Sequence, residues 1–157
     1  MITCFEGDYY FLSNSYNSPF EMHNIIFPTV DHYYNAMKTS NYEDFLTISQ
    51  LSTTQEVYEL IQILDIRDDW YDVRDRIMEY GLHKKFENYP LRGQLLDTGN
   101  CEIINGNNSD RYWGIILETK KGENKLGKLL MKLRGIIQID EEARRHPDFK
   151  ISECRTS

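Results

Sequence analysis

Residues 28–38 read Pro28-Thr29-Val30-Asp31-His32-Tyr33-Tyr34-Asn35-Ala36-Met37-Lys38. Pro28 and Thr29 carry helix-start chemistry, and Val30, Tyr33, Tyr34 and Met37 recur at the i, i+3, i+4, i+7 spacing of one buried face. The stretch predicts a helix that begins after Thr29 and lays an apolar side on a core. Asp31, Asn35 and Lys38 fall at i, i+4 and i+7 elsewhere on its circumference and form one polar stripe. Two turns separate Asp31 from Lys38, roughly 10 Å along the axis, which is too far for a direct ion pair and suits the lining of a small-molecule cleft. The plain alternative is a solvated helix face.

Upstream, Phe5 to Phe27 alternates aromatic residues with Gly, Ser, Asn and Pro, a pattern of short strands and turns. Downstream, Thr53 and Glu56 make a capping-box pattern ahead of Val57, Leu60, Ile61 and Leu64. Apolar stripes from about Trp70 to Phe86 and from Asn124 to Ile137 predict two more helices, the second carrying Leu126, Leu129, Leu130, Leu133 and Ile137. Between them, Ile103-Ile104 and the run from Tyr112 to Leu117 flank the turn-rich Gly106-Asn107-Asn108-Ser109-Asp110, which predicts a short hairpin-like element. The expected fold class is α+β, a mainly helical single domain with short β-strand elements. Residues 1–139 are expected to form that domain and residues 140–157 a charged helix and loose tail, from the change to Asp140-Glu141-Glu142 and Arg144-Arg145.

The chain has 157 residues, 40% of them hydrophobic and 27% charged, which fits one globular domain and excludes wholesale disorder. With 18 basic and 25 acidic side chains the formal charge is -7, so the overall field repels phosphate backbones and a nonspecific nucleic-acid coat protein is excluded. A local cleft for one modified nucleotide is compatible with that charge. Cys4, Cys101 and Cys154 form no Cys-x-x-Cys, which suits reduced thiols. No window approaches the roughly 20 apolar residues of a membrane span, and the N-terminus lacks the basic-then-apolar pattern of a leader. A cytoplasmic protein with no membrane partner is expected.

Other constellations were weighed in the same way. In Ser109-Asp110-Arg111-Tyr112-Trp113-Gly114 an acid, an indole and a glycine stand at the mouth of an expected strand. The alternative is that Asp110 caps a turn and Trp113 fills a core. Trp70, likewise, reads as the first core residue of its helix. Gly122-Glu123-Asn124-Lys125-Leu126-Gly127-Lys128 fits P-loop spacing up to its lysine. Leu129 then stands where a hydroxyl must hold magnesium, so an NTPase is excluded. The same segment reads as a helix start whose free amides are suited to a phosphate or diphosphate, or as simple packing. His23, His32, His83 and His146 show no metal spacing, and no metal or cofactor is expected.

Taken in order, these segments resemble the NADAR family, associated with NAD and ADP-ribose metabolism. The resemblance runs from Phe5 to about Ile137. It rests on Phe11-Leu12-Ser13-Asn14, the 28–38 stretch, Arg67-Asp68-Asp69-Trp70, Leu82 to Phe86, and Leu95-Leu96-Asp97-Thr98-Gly99. Asp110-Arg111-Tyr112-Trp113-Gly114 and Gly122 to Gly127 with Leu130-Met131 complete it. The resemblance implies N-glycosidase activity, hydrolysis of the bond between ribose C1′ and a nitrogen. The expected substrate is ADP-ribosylated guanine in nucleic acid, with phosphorylated riboflavin precursors or a non-catalytic ADP-ribose-binding module as alternatives. It implies catalytic roles for Asp31 and Asp110 as stabilisers of positive charge or activators of water. Lys38 is either a fixed cation or a nucleophile that forms a Schiff base. Asn14, Tyr34, Asn35, Trp70, Trp113, Gly114 and Asn124 are the implied substrate contacts: Asn14 on the sugar, the indoles stacked on the base or walling off water, and the backbone near Asn124 on the diphosphate. The Asp31 group and the Asp110 group are expected to face one cleft.

Overall fold

The computed structural model describes residues 1–146 and 148. The fold is α+β, with six helices and four very short strands among the described residues. It divides into two compact units, one of residues 4–91 and one of residues 1–3 with the chain from Arg92 onward.

The 4–91 unit opens with a 3-10 turn, Gly7–Leu12, and a β-hairpin of β1 (Phe20–Met22) and β2 (Ile25–Phe27). His23 and Asn24 both have positive φ, 55° and 62°, as the two central residues of a tight hairpin turn require, and they set Met22 opposite Ile25. Helices α1 (Val30–Ala36), α2 (Tyr42–Ser49), α3 (Thr54–Ile61) and α4 (Trp70–Lys85) follow. The expected start of α1 is found: the Thr29 hydroxyl accepts from the His32 amide. The same hydroxyl lies 2.7 Å from His32 Nδ1, and His32 Nε2 lies 2.9 Å from the Leu51 carbonyl. With the proton on Nε2, both ring nitrogens are satisfied, so His32 is a buried pin of the core.

Helix α1 is shorter than its apolar spacing predicts. Met37 caps it, and Lys38 N–H bonds back only three residues, to Asn35 O at 3.1 Å, so Lys38 sits in the tightened turn beyond the helix. Helix α4 packs on α1 through Gly81, where a Cβ would lie 2.9 Å from Cδ1 of the buried Tyr33 ring.

In the second unit, α5 (Leu91–Asp97) and α6 (Lys125–Arg145) are tied by Arg92, which donates to Glu141 at 2.7 Å and to Asp140 at 2.5 Å. Helix α6 runs without a break through Asp140 to Arg145, where the sequence suggests a change of segment; most of the expected tail lies outside the described residues. The hairpin expected over 102–117 is not antiparallel. The turn-like Gly106–Asn107 is itself β3 and pairs in parallel with β4 (Ile115–Ile116). Asn107 explains the reversal: its Oδ1 accepts from the amides of Ser109 and Asp110, and its Nδ2 donates to Asp110 O at 2.9 Å. That coils 108–114 into a loop that returns the chain in the same direction. No described helix is long and apolar enough to cross a membrane.

Gly81→Ala is expected to destabilise the protein by about 1–2 kcal/mol in urea unfolding, because crowding of the Tyr33 ring outweighs the helix propensity gained by alanine.

Candidate active site

The polar stripe of α1 is not a solvated face. Asn35 is buried, and its amide donates to Asp31 O at 2.8 Å, so it braces the helix from within. Asp31 lies in the first turn, where the helix dipole favours a carboxylate, and its own N–H donates to Asn14 O at 3.0 Å. Burial pushes the Asp31 carboxyl pKa up. The Tyr58 hydrogen bond and the charges of Lys85 and Lys38 pull it down. The Tyr58 hydroxyl donates to Asp31 Oδ2 at 2.6 Å, the length of a charge-assisted O–H···O⁻ bond.

Lys38 stands over an aromatic corner. Its Nζ is 5.3 Å from the Tyr34 ring centre and 5.6 Å from that of Trp70, and the two rings meet edge to face at 4.9 Å. Burial lowers the Lys38 pKa, Asp31 opposes that effect, and Arg74 adds to it. The turn carrying Lys38 is fastened from the 65–69 loop. Arg67 N–H donates to Lys38 O at 2.7 Å, its guanidinium donates to Met37 O at 3.5 Å, and that guanidinium grips Asp69 at 2.5 and 2.9 Å. Trp70, the first residue of α4, is buried. Its ring is therefore a wall behind Lys38 and not an open platform for a base.

Asn14, expected on the sugar, has its Oδ1 buried with no hydrogen-bond partner among the described residues. An acceptor left in that state costs stability unless a donor reaches it, and a sugar hydroxyl is such a donor.

Sequence reasoning missed Tyr58 and Lys85. Lys85 is buried; its Nζ donates to Ser13 O at 2.7 Å and lies 5.6 Å and 5.1 Å from the Tyr16 and Phe86 ring centres. Burial depresses its pKa to about 7, against the pull of Asp31. A signal was present: Met78, Leu82 and Lys85 recur at i, i+4, i+7, so a lysine occupies the apolar stripe of α4. Tyr58 offered none, since only the fold brings α3 to Asp31.

The Asp110 group lies within the second unit. Asp110 Oδ1 accepts from the Tyr112 and Trp113 amides, both at 2.9 Å, which is the turn-capping role weighed from sequence. Trp113 is half-buried beside Tyr112, at 4.9 Å between ring centres. Gly114 is buried where a Cβ would strike Asn105 O. Asn124, in the left-handed region at φ 51°, is buried and bridges Asn105 N at 2.9 Å and Ile103 O at 3.0 Å. The expectation of free amides at this helix start is corrected. The amides of Glu123, Asn124, Lys125 and Leu126 already donate to the carbonyls of Arg111, Gly114, Tyr112 and Trp113. They are not open to a diphosphate.

The model of the NADAR domain matches residues 4–138. The chain belongs to the NADAR family. Among NADAR relatives, N-glycosidase YbiA of Escherichia coli is 30% identical over 137 residues, covering 85% of each chain. An N-glycosidase of Nostoc punctiforme is 34% identical over 112 residues, 68% of this chain and 71% of that protein. A riboflavin biosynthesis protein of Vibrio vulnificus is 30% identical over 90% of this chain, which spans only 37% of that protein's length. The NMR structure of Escherichia coli YbiA superposes with a TM-score of 0.82 at 28% identity, over 95% of this chain and 92% of that one.

The lowered pKa of Lys85 fixes the sign of a pH effect. Between about pH 7 and pH 10 the unfolded chain keeps a proton that folded Lys85 releases, so this group's contribution to stability increases as pH rises across that window. Urea unfolding at pH 7.5, 8.5 and 9.5 is expected to show that slope, and Lys85→Met to flatten it.

Proposed function

We propose that this NADAR protein is an N-glycosidase that cleaves the bond between a ribose C1′ and an attached nitrogen, and that its substrate is ADP-ribose linked to guanine in DNA. The reading is carried by the surroundings of Asp31. A half-buried carboxylate shares one compact unit with two lysines of lowered pKa, and one of these stands on an aromatic wall. The names of the YbiA and Nostoc relatives support the reaction class.

As the C1′–N bond breaks, its electron pair leaves with the nitrogen and C1′ becomes electron-poor. An ionised Asp31 stabilises that charge and accepts the proton of the attacking water. Burial works against ionisation, and the Tyr58 hydrogen bond and the charges of Lys85 and Lys38 oppose that effect without outweighing it. Lys38 has two routes. As a cation it holds the ribose phosphates. As a free amine it attacks C1′ while the base nitrogen departs, the sugar ring opens to an imine, and water then releases the sugar and returns the amine. The desolvation that lowers its pKa favours the second route. A second substrate reading, phosphorylated riboflavin intermediates, is favoured by the name of the Vibrio relative and offers the same C1′–N bond.

Purified protein is expected to release ADP-ribose from ADP-ribosyl-guanine DNA, and Asp31→Asn to cut turnover about 10²-fold. Side-by-side assays in which only riboflavin intermediates react would overturn the substrate but not the reaction class. Borohydride added during turnover is expected to fix ADP-ribose to Lys38. Lys38→Arg should abolish both adduct and turnover, because a guanidinium stays protonated. A Lys38→Arg protein that still turns over leaves Lys38 a cation only.

A further inference from the structure

Tyr58 lies outside every motif that pointed to the site, yet its hydroxyl reaches Asp31 Oδ2 from 27 residues away in sequence. Helix α3 delivers it: Thr53 caps the helix by accepting from the Glu56 amide at 3.2 Å, and Val57 and Ile61 bury its underside. The Tyr58 phenol proton is placed on Asp31 by the short 2.6 Å contact to Oδ2. Tyr58 is itself 40% exposed, so this contact sits where solvent and a ligand can reach it.

We propose that Tyr58 is the positioning residue of the site, which fixes Oδ2 of Asp31 and so leaves Oδ1 as the oxygen that meets the sugar or its attacking water. Only the kinetic part of this inference rests on the N-glycosidase reading. An aspartate beyond one fixed hydrogen bond turns about its Cα–Cβ and Cβ–Cγ bonds, and loss of the phenol proton frees both. The groups that face Asp31 are Tyr58 from α3, Lys85 from α4, Lys38 from the turn after α1, and His32 from α1 itself. Tyr58 is faced in turn by Thr54 and by Tyr10 of the 3-10 turn. Of these, Tyr58 alone among the described residues is recorded in a side-chain hydrogen bond to the Asp31 carboxylate. Its removal should raise the Asp31 pKa and loosen the carboxylate without removing a charge.

The test is Tyr58→Phe in the full chain, with 13Cγ-labelled aspartate followed by NMR as pH is varied and kcat/KM measured over the same range. The Asp31 titration and the acid limb of the rate profile are both expected to move to higher pH. In addition, kcat should fall about tenfold or more while KM changes by less than about threefold. Combined with Asp31→Asn, the substitution should add no further loss of rate. A 3-fluorotyrosine at position 58, a stronger donor of the same shape, should move the Asp31 titration the other way. An Asp31 titration unchanged in both proteins overturns the proposal. If the wild-type protein cleaves no N-glycoside, the functional reading falls while the NMR titrations still decide what Tyr58 does.

Discussion

A carboxylate drawn halfway out of water at the start of a helix has to be compensated, and the 4–91 unit is arranged around that requirement. Desolvation favours the neutral acid of Asp31, and three devices oppose it: a short hydrogen bond from Tyr58, the charges of Lys85 and Lys38, and the dipole of α1. None of the three acts unless α1 is held still. Its N-terminus is pinned through the Thr29, His32 and Leu51 bonds, its next amide by Asn14 O, and its far end by Arg67 reaching the carbonyls of Met37 and Lys38. Core packing and site geometry are here the same set of contacts.

The two lysines differ in kind. Lys85 is enclosed, its amine nitrogen spent on a backbone carbonyl and flanked by aromatic rings, so it is held in place behind the site. Lys38 is half-buried on a turn, with aromatic faces and no side-chain hydrogen bond among the described residues, so its amine retains freedom to move toward a ligand. A group meant to react needs that freedom; a group meant to set a potential does not.

Much of this was legible in the sequence where the signal is local. The Thr29 and Thr53 caps, the extent of α4 and the shared stripe of Asp31, Asn35 and Lys38 followed from spacing. The errors came where a non-local or side-chain effect decides. Apolar periodicity carried α1 on to Lys38, but the chain tightens after Ala36. The 106–110 segment looked like the tip of a hairpin until Asn107 was seen to coil the loop back in parallel. Tyr58 was invisible because nothing in the spacing of α3 relates it to Asp31. Lys85 was visible in principle, as a cation on an apolar stripe, and was passed over as part of a motif. Asp110 makes the turn bonds that one of its two alternatives expects, while the amides beside Asn124, expected to be open, are spent.

That last feature bears on how this protein must handle anions. A row of free backbone amides binds phosphate through fixed dipoles that salt scarcely weakens, and here the row from Glu123 to Leu126 is turned inward on its own loop. On the proposed reading, recognition of a diphosphate would then fall to side-chain cations, whose attraction fades over about 8 Å at physiological ionic strength. On a chain whose net charge is already -7, such recognition would work only at short range. An ADP-ribosyl substrate would be held once it had arrived, with little long-range pull to bring it in.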